Sequence, residues 1–158
     1  MLKIVNLCIT NPEKNKFLFI KRIKPPYIDY WGMLGGKIEK DEEHQIAASR
    51  ELLEESGIIG NGEFLGKCHE QIFENGNLIH EFDIYFYHFI INDFDLGFDS
   101  KEGELKWLDL EELELEKVIP SDTLMIKTFF NRGFGEVISI VKKNNYDYFQ
   151  EKFGVDKK

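Results

Sequence analysis

The sequence predicts an α/β fold in which a mixed β-sheet carries helices on both of its faces. Runs with alternating apolar residues are separated by two helix-like segments, in the order strands, helix, strands, helix. The chain has 158 residues, 42% of them hydrophobic and 31% charged, which is ordinary for a globular protein. A chain of this length can bury a real core, so we expect residues 1–158 to form a single domain.

The first half predicts a strand pair, a loop and one long helix. Pro25 and Pro26 exclude a helix interior or a central strand from the segment that contains them. The segment from Asp41 to Ser56 has no Pro or Gly and many good helix formers, and Gly57 follows it. The predicted elements are a strand over 2–10, a turn over 11–15, a strand over 16–22, a loop over 24–30 and a helix over 41–56.

The second half predicts further strands and a second helix. The longest strand is expected where apolar residues alternate between Leu78 and Ile91. The other predicted elements are a strand within 58–73, a polar loop over 92–103, a strand over 105–108, a helical turn over 110–116, a helix over 120–130 and a strand over 133–141. We expect residues 144–158 to form a loosely packed polar tail.

Net charge and cysteine content indicate which binding partners and which cellular compartment to expect. The net charge is −9, which disfavours duplex nucleic acid as a partner because phosphate backbones need basic surfaces. No apolar run approaches the length of a membrane span. Cys8 and Cys68 lie in strand-like runs without metal-binding spacing and are expected to be buried free thiols in a reducing compartment. We therefore predict a cytoplasmic protein, either monomer or homodimer, with no membrane partner.

The most informative segment runs from Gly36 to Ile58. At about 100° per residue, Glu51, Glu54 and Glu55 fall within an arc of roughly 100°, while Ile46 and Leu53 point roughly the opposite way and are expected to face the core. Clustered carboxylates repel one another unless a cation neutralises them. Mg²⁺ is typically held by a few carboxylates together with substrate phosphates, so the pattern favours a metal site on a phosphate chain.

A solvated acidic helix is the alternative interpretation of this segment. Glu-rich helices are common, but four Glu, two Gly, one Arg and two apolar residues at these offsets should coincide at roughly 10⁻⁸ per starting point. The segment resembles the Nudix box, Gly-x5-Glu-x7-Arg-Glu-apolar-x-Glu-Glu-x-Gly-apolar, at every defined position. The resemblance implies a Nudix fold, an α/β/α sandwich whose box forms a loop-helix-loop, and a hydrolase of nucleoside diphosphate derivatives.

The resemblance also implies roles for the residues of the box. The Gly36 carbonyl, Glu54 and Glu55 would bind Mg²⁺, with Mn²⁺ as a substitute. Glu51 would be a further ligand or the general base, and which glutamate is the base stays open between Glu51 and Glu54. Arg50 would orient a neighbouring glutamate, and Glu42 would fix the loop by pairing with Arg50. A further metal ligand is expected at Glu102, with Glu104 as the fallback.

Residues outside the box are candidates for substrate binding. Lys37 follows two glycines and is expected to meet a phosphate, while Tyr30 and Trp31 are expected either to stack on a base or to pack the loop. Asp122 matches the position of a base-reading acid in MutT-type enzymes, although an N-cap role is an equal alternative. Gly32 and Leu34 depart from the patterns of the enzymes that hydrolyse oxidised purine nucleotides.

The expected function is Mg²⁺-dependent hydrolysis of a nucleoside triphosphate, such as 8-oxo-dGTP, to the monophosphate and pyrophosphate. One alternative is a Nudix hydrolase of a nucleotide sugar, a dinucleoside polyphosphate or an RNA 5′ end. The other is a nucleotide-binding sensor without catalysis. Sensors of this kind usually have eroded boxes, whereas this box is complete.

Overall fold

A computed structural model of the chain describes residues 1–92, 103–133 and 135–155. Within these ranges the strands form one mixed sheet, and three helices accompany it. The strands are β1 (Leu2–Thr10), β2 (Phe17–Lys21), β3 (Trp31–Gly32), β4 (Leu34–Lys37), β5 (Glu63–Glu74), β6 (Asn77–Ile90), β7 (Leu105–Leu108), β8 (Gly135–Asn144) and β9 (Asp147–Gly154). The helices are α1 (His44–Ser56), α2 (Leu110–Leu115) and α3 (Pro120–Arg132).

The sheet follows the order β3-β2-β1-β6-β5-β8-β9, with β4 added to β1 and β7 added to β2. The β1–β6 and β5–β8 pairs are parallel and the other pairs are antiparallel. Val5 of β1 lies opposite Gly36 of β4 and also opposite Tyr85 of β6, so the central strand β1 aligns the start of the box with the middle of the sheet.

Two hydrophobic cores lie on opposite faces of this sheet. On one face, Ala47, Ala48 and Leu52 of α1 pack in a cluster with residues such as Val5 and Leu7 of β1. On the other face, α3 contributes its own set of buried residues, Met125, Ile126 and Phe129, to a larger cluster that includes Cys8 and Cys68. The predicted α/β/α sandwich is confirmed.

The orientation of α1 differs from the prediction. Ile46 and Leu53 are 58% and 46% exposed, whereas Ala47, Ala48, Glu51 and Leu52 form the buried stripe. The small side chains of Ala47 and Ala48 let the helix lie close to the sheet. The other two buried residues, Glu51 and Leu52, follow one helical turn later on the same face. The helix also begins later than predicted, at His44, because Asp41 takes a left-handed conformation with φ of +63°.

The expected loose tail is also wrong for the part that the structure describes. Residues 147–154 form β9, which pairs antiparallel with β8 at the edge of the sheet. Tyr148 is 7% exposed, and its ring packs against the rings of Tyr27 and Tyr30. The other β9 side chains are at least partly exposed, and most of them are polar. Its sequence therefore lacks the alternation of apolar residues from which a strand would be predicted.

Both cysteines are buried free thiols, as predicted. Burial raises the pKa of Cys8 and Cys68 well above the ordinary thiol value, which keeps both in the protonated form. Among the helices in the described ranges, none combines the length and apolar character that a membrane crossing requires.

The orientation of α1 predicts opposite outcomes for two neighbouring leucines. Leu52→Ala removes a side chain that is 1% exposed and leaves a cavity. It should lower the free energy of unfolding by about 2–5 kcal/mol, measured by urea denaturation. The matched Leu53→Ala change should cost less than about 0.5 kcal/mol because its side chain is half exposed. Equal losses in the two variants would contradict the orientation described here.

Candidate active site

The start of the box places a glycine directly against a glutamate. Gly36 lies in β4, which pairs with β1. Glu51 belongs to α1, and its carboxyl group lies directly against Gly36. A Cβ atom built on Gly36 would overlap the Glu51 carboxyl group, so a side chain at this position would displace Glu51. Glu51 is only 9% exposed. A glycine is therefore required at position 36, because the Glu51 carboxyl group approaches the backbone too closely for any side chain. The backbone of Gly36 and the carboxylate of Glu51 together form one wall of the candidate site.

Arg50 joins the loop that precedes α1 to the helix itself. Its Nε donates to Glu42 Oε2 at 2.8 Å and its Nη2 donates to Glu42 Oε1 at 3.0 Å, which is the bidentate geometry that guanidinium groups favour. Glu42 Oε1 also accepts a hydrogen bond from the Glu39 amide at 3.0 Å. The Glu42–Arg50 pair implied by the family resemblance is present, and it closes the loop over 39–42.

The same guanidinium group contacts the carboxylates of the helix. Arg50 Nη1 donates to Glu51 Oε1 at 3.0 Å and lies 3.3 Å from both carboxylate oxygens of Glu54. Arg50 Nη2 also donates to the Lys37 carbonyl at 3.0 Å. One cation thus fixes three glutamates and the end of β4 relative to one another.

These contacts change the titration of both partners. Hydrogen bonds to Glu42, Glu51 and Glu54 raise the pKa of Arg50 above its ordinary value, so the guanidinium stays charged. Hydrogen bonding to Arg50, followed by that from the Glu39 amide, lowers the pKa of Glu42. The Arg50 side chain is 24% exposed and that of Glu42 is 11% exposed, so water screens this ion pair only in part.

The predicted metal ligands fall around this wall. The Glu54 side chain is 57% exposed and Glu55 is half-buried, while Glu51 is buried against Gly36. Within the described residues, no group of three or more acidic, histidine or cysteine side chains is placed to hold a metal ion. Glu51 and Glu54 instead contact Arg50. Carboxylates beside a backbone carbonyl nevertheless supply the hard oxygen donors that suit a divalent cation.

The remaining predicted phosphate and metal residues lie at the edges of the site. The Lys37 side chain is exposed at the end of β4. Glu102 lies outside the described residues, within 93–102. The fallback residue Glu104 is exposed, and its carbonyl accepts a hydrogen bond from the Lys21 amide at 2.8 Å.

The two aromatic residues predicted to meet a base are both buried. Trp31 is 7% exposed, and its backbone bonds to Lys117 and Ile119 on either side. Tyr30 is 5% exposed, and its hydroxyl accepts a hydrogen bond from the Tyr148 amide at 3.0 Å. In this conformation both rings pack the loop, which was the stated alternative to stacking.

Asp122 lies in the first turn of α3 and is not its N-cap, which is Ile119. It is 4% exposed, and its carboxylate accepts hydrogen bonds from the Met33 amide at 2.9 Å and the Asn6 amide group at 3.1 Å. Burial raises the pKa of Asp122 to about 7, against the lowering effect of the Met33 hydrogen bond. Asp122 lies between the sheet and α3. Its hydrogen bond to Met33 joins it to the residue just before β4, the strand that contains Gly36.

Sequence reasoning did not single out two polar residues near Asp122. Asn6 looked like one polar residue in an apolar strand, and Glu70 looked like an ordinary strand acid. Both are buried, with exposures of 8% and 2%. The available signal was their alternation with apolar neighbours, since Asn6 shares strand parity with Ile4 and Cys8, and Glu70 with Cys68 and Ile72.

The model of the NUDIX domain family matches residues 2–129, which include the box, α1 and most of α3. This chain belongs to the Nudix family of hydrolases. Members of the family generally use a divalent metal, which agrees with the oxygen donors around Gly36.

Comparison with individual proteins gives more distant likenesses. The chain is 32% identical over 105 residues to an 8-oxo-dGTP diphosphatase of Buchnera aphidicola subsp. Schizaphis graminum, covering 65% of this chain and 74% of that protein. It is 35% identical over 80 residues to diphosphoinositol polyphosphate phosphohydrolase 2 of Rattus norvegicus, covering 50% of this chain and only 41% of the rat protein. A MutT protein structure from Bacillus halodurans superposes with a TM-score of 0.75 at 20% identity, covering 99% of this chain and 98% of the other.

Removal of the Arg50 guanidinium should destabilise the Nudix hydrolase near neutral pH. Arg50→Met leaves three neighbouring carboxylates without their shared cation, and unfolding at pH 7 should become easier by about 1–3 kcal/mol. The pKa of Glu42 is lower in the folded chain than its ordinary value of 4.5. The pair therefore stabilises the fold fully above that value and loses its effect as the pH falls through the folded-state pKa.

Urea denaturation of both proteins across pH 3 to 7 would measure this dependence. The matched control is Lys127→Met, which removes an exposed ion pair with Glu114 and should change stability by less than about 0.5 kcal/mol. A stability difference between Arg50→Met and the unchanged protein that is the same at every pH would contradict the proposed electrostatic origin.

Proposed function

We propose that this Nudix hydrolase is a Mg²⁺-dependent nucleoside triphosphate pyrophosphohydrolase, which releases a nucleoside monophosphate and pyrophosphate. The observation that carries the proposal is the complete acidic box helix, with Glu51 buried against Gly36 and Arg50 ordering its neighbours. Sensor modules of this fold usually have eroded boxes, whereas every defined position of the box is present in this chain.

The Gly36 carbonyl, Glu51, Glu54 and Glu55 would hold Mg²⁺, with Glu102 as a further ligand and Mn²⁺ as a substitute ion. A bound Mg²⁺ would neutralise the phosphate chain and make a coordinated water more acidic. Arg50 orients Glu51 and Glu54, and one of these two glutamates accepts the proton of the attacking water. Lys37, whose side chain is free to reach outward from β4, would contact a phosphate of the substrate.

For the substrate, we propose an oxidised purine deoxynucleotide such as 8-oxo-dGTP. The likeness to the Buchnera 8-oxo-dGTP diphosphatase supports this choice. Asp122 also supports it, because this buried acid accepts a hydrogen bond from the amide of Met33, three residues before Gly36. Tyr30 and Trp31 would form part of the wall around the base, and their burial requires the adjoining loop to change when a base enters.

A second candidate is a Nudix hydrolase of another phosphoanhydride, for which the likeness to the rat diphosphoinositol polyphosphate phosphohydrolase is the specific observation. A nucleotide sugar, a dinucleoside polyphosphate and an RNA 5′ end belong to the same alternative. Two buried thiols agree with action in a reducing compartment such as the cytoplasm. We also propose that the chain works as one domain, since β1 and β9 belong to the same sheet.

Replacing a metal-binding glutamate should abolish hydrolysis while leaving the fold intact. In Glu54→Gln and Glu55→Gln proteins, pyrophosphate release in the presence of Mg²⁺ should fall by at least about 100-fold, because each loses a charged oxygen ligand. The control is Glu111→Gln, which changes an exposed acid of α2 and should keep full activity. Metal-dependent activity that survives both substitutions would contradict the proposed site.

A panel of phosphoanhydrides would test the substrate. With 8-oxo-dGTP as the preferred substrate, kcat/KM should exceed that for dGTP by about tenfold or more, since each correctly paired base edge contributes on the order of 1.4 kcal/mol. Chromatography of the products should show equal amounts of monophosphate and pyrophosphate. Faster turnover of a nucleotide sugar, a dinucleoside polyphosphate or a diphosphoinositol phosphate would instead establish the second candidate.

A further inference from the structure

The first residue of the box helix directs its side chain onto the sheet. α1 begins at His44, whose Nδ1 is hydrogen-bonded to the hydroxyl of Tyr87 on β6. The imidazole ring also stacks on the ring of Tyr85, with a centroid separation of 4.3 Å and an interplanar angle of 19°. Phe64 of β5 lies beside it, at a centroid distance of 4.9 Å. His44 therefore joins the start of α1 to two strands of the sheet.

Both partners of this hydrogen bond are uncharged near neutral pH. Burial lowers the pKa of His44 below its ordinary value, against the opposing effect of Glu43. Burial raises the pKa of Tyr87 to about 12. A neutral imidazole and an intact phenol offer each other one donor and one acceptor. The bond is therefore neutral, and its strength depends on alignment.

His44 and Glu51 lie on the same face of α1. They are seven residues apart, which is about 20° short of two full helical turns. Ala47 and Ala48 lie between them on the buried side of the helix. This face thus has a ring at its start, two methyl groups in its middle and, near its end, the carboxyl group that rests against Gly36.

The two alanines give little control over how the helix sits on the sheet. Each presents a single methyl group, which permits close approach but makes only weak, non-directional contacts. The fit of Glu51 against Gly36 is much less tolerant, because a Cβ atom on Gly36 would already overlap the carboxyl group. A directional contact elsewhere on the same face is therefore needed to keep α1 from turning or sliding at Glu51.

The first turn of α1 is otherwise loosely supported. The N-cap residue, Glu43, is exposed, and its side chain makes no capping hydrogen bond. An open cavity of about 270 Å³ lies beside the helix start and is lined in part by Ile38 and Gln45. Arg50 holds the helix from the side of the preceding loop. The contacts of His44 hold it from the side of the sheet.

We propose that His44 is a positioning residue for the metal site. Its hydrogen bond and its stack fix the rotation and the height of α1 on the sheet, and through their shared helix face they fix Glu51 against Gly36. This inference rests on the proposed hydrolase function and adds to it a residue that contacts neither the metal nor the substrate. A misplacement of about 1 Å can cost about a hundredfold in rate, so a small change in the seat of α1 is measurable.

A double-mutant cycle tests the hydrogen bond. His44→Phe keeps a ring on Tyr85 and loses the bond, while Tyr87→Phe removes the hydroxyl alone. Each change should weaken Mn²⁺ binding and lower kcat by about fivefold, while the KM for dGTP changes less than about twofold. The double variant should be no worse than either single variant, because the same bond is lost in all three.

Tyr85→Phe is the matched control. It also removes a tyrosine hydroxyl from β6, but it keeps the stack and leaves the bond between His44 and Tyr87 in place. It should alter neither the Kd for Mn²⁺ nor kcat. Effects of the two single changes that simply add in the double variant would overturn the positioning role.

The affinity for Mn²⁺ is measured by electron paramagnetic resonance with the metal alone, so it needs no turnover. An absence of hydrolysis with every nucleotide, together with the expected Mn²⁺ affinities, would overturn the proposed function alone. Hydrolysis with Mn²⁺ affinities that are unchanged in His44→Phe and Tyr87→Phe proteins would overturn the positioning role alone. A chain that binds no Mn²⁺ would overturn both.

A second experiment separates positioning from the stability of the helix. His44→Ala removes both the bond and the stack, so Tm should fall and kcat should fall by about tenfold or more. Adding Glu43→Ser supplies a side-chain cap for the amide of Ile46, which stabilises the helix without attaching it to the sheet. Tm should recover, whereas kcat and the Kd for Mn²⁺ should remain at the values of His44→Ala protein.

All rates and affinities are measured well below the Tm of every variant, where each is folded. Glu43→Ser alone should raise Tm slightly and leave kcat unchanged. Recovery of kcat together with Tm would show that His44 acts only through helix stability, and it would overturn the inference. If the added cap leaves Tm low, the double-mutant cycle decides, because its variants keep every ring of the aromatic group.

Discussion

The guanidinium group of Arg50 holds together the part of the molecule on which catalysis would depend. It satisfies Glu42 of the preceding loop, Glu51 and Glu54 of α1, and the carbonyl of Lys37 at the end of β4. Four negatively polarised groups thus share one permanent cation, whose planar fork fits them without a rearrangement. The close packing of strand, loop and helix around Gly36 is possible because this repulsion has already been compensated.

The same site also depends on the close approach of α1 to the sheet. Ala47 and Ala48 allow α1 to lie near the sheet, and Gly36 allows the Glu51 carboxyl to rest on β4. The helix therefore does not point all of its acids at water. It keeps one buried against the backbone and leaves Glu54 and Glu55 nearer the surface, so that ligands on one helix differ in their surroundings and in their freedom to move.

The sequence was sufficient to predict those elements whose signal lies within a short stretch of the chain. Leu105–Leu108 and the strand from Leu2 to Thr10 have the predicted bounds. The box spacing indicated the family, and the resemblance to that family implied the Glu42–Arg50 pair. Ile46 and Leu53 were assigned to the core wrongly, since large apolar residues suggested the buried face while the small alanines formed it. β9 was missed because a strand at the edge of a sheet can be mostly polar.

The interior was harder to predict than the surface of the box. Tyr30 and Trp31 were expected either to stack on a base or to pack the loop, and their burial depends on contacts with Tyr148 and with the segment before α3, which are distant in sequence. Glu70 and Asp122 are brought together only by the crossing of α3 over the sheet. The alternation of Glu70 with Cys68 and Ile72 indicates the buried face of β5, but no local pattern shows that Asp122 lies buried near it.

The parallel pairing of β1 with β6 has a consequence for the order in which the chain can fold. Leu2 lies opposite Phe82 and Thr10 lies opposite Ile90, so β1 cannot pair with β6 until the roughly 70 residues between the two strands have been synthesised. Contacts so distant in sequence carry a high cost in loop closure and slow the search for the native topology. The β5–β6 hairpin, whose strands follow one another directly, is the natural place for the sheet to start, and the box helix must wait for β1 to dock before its own core exists.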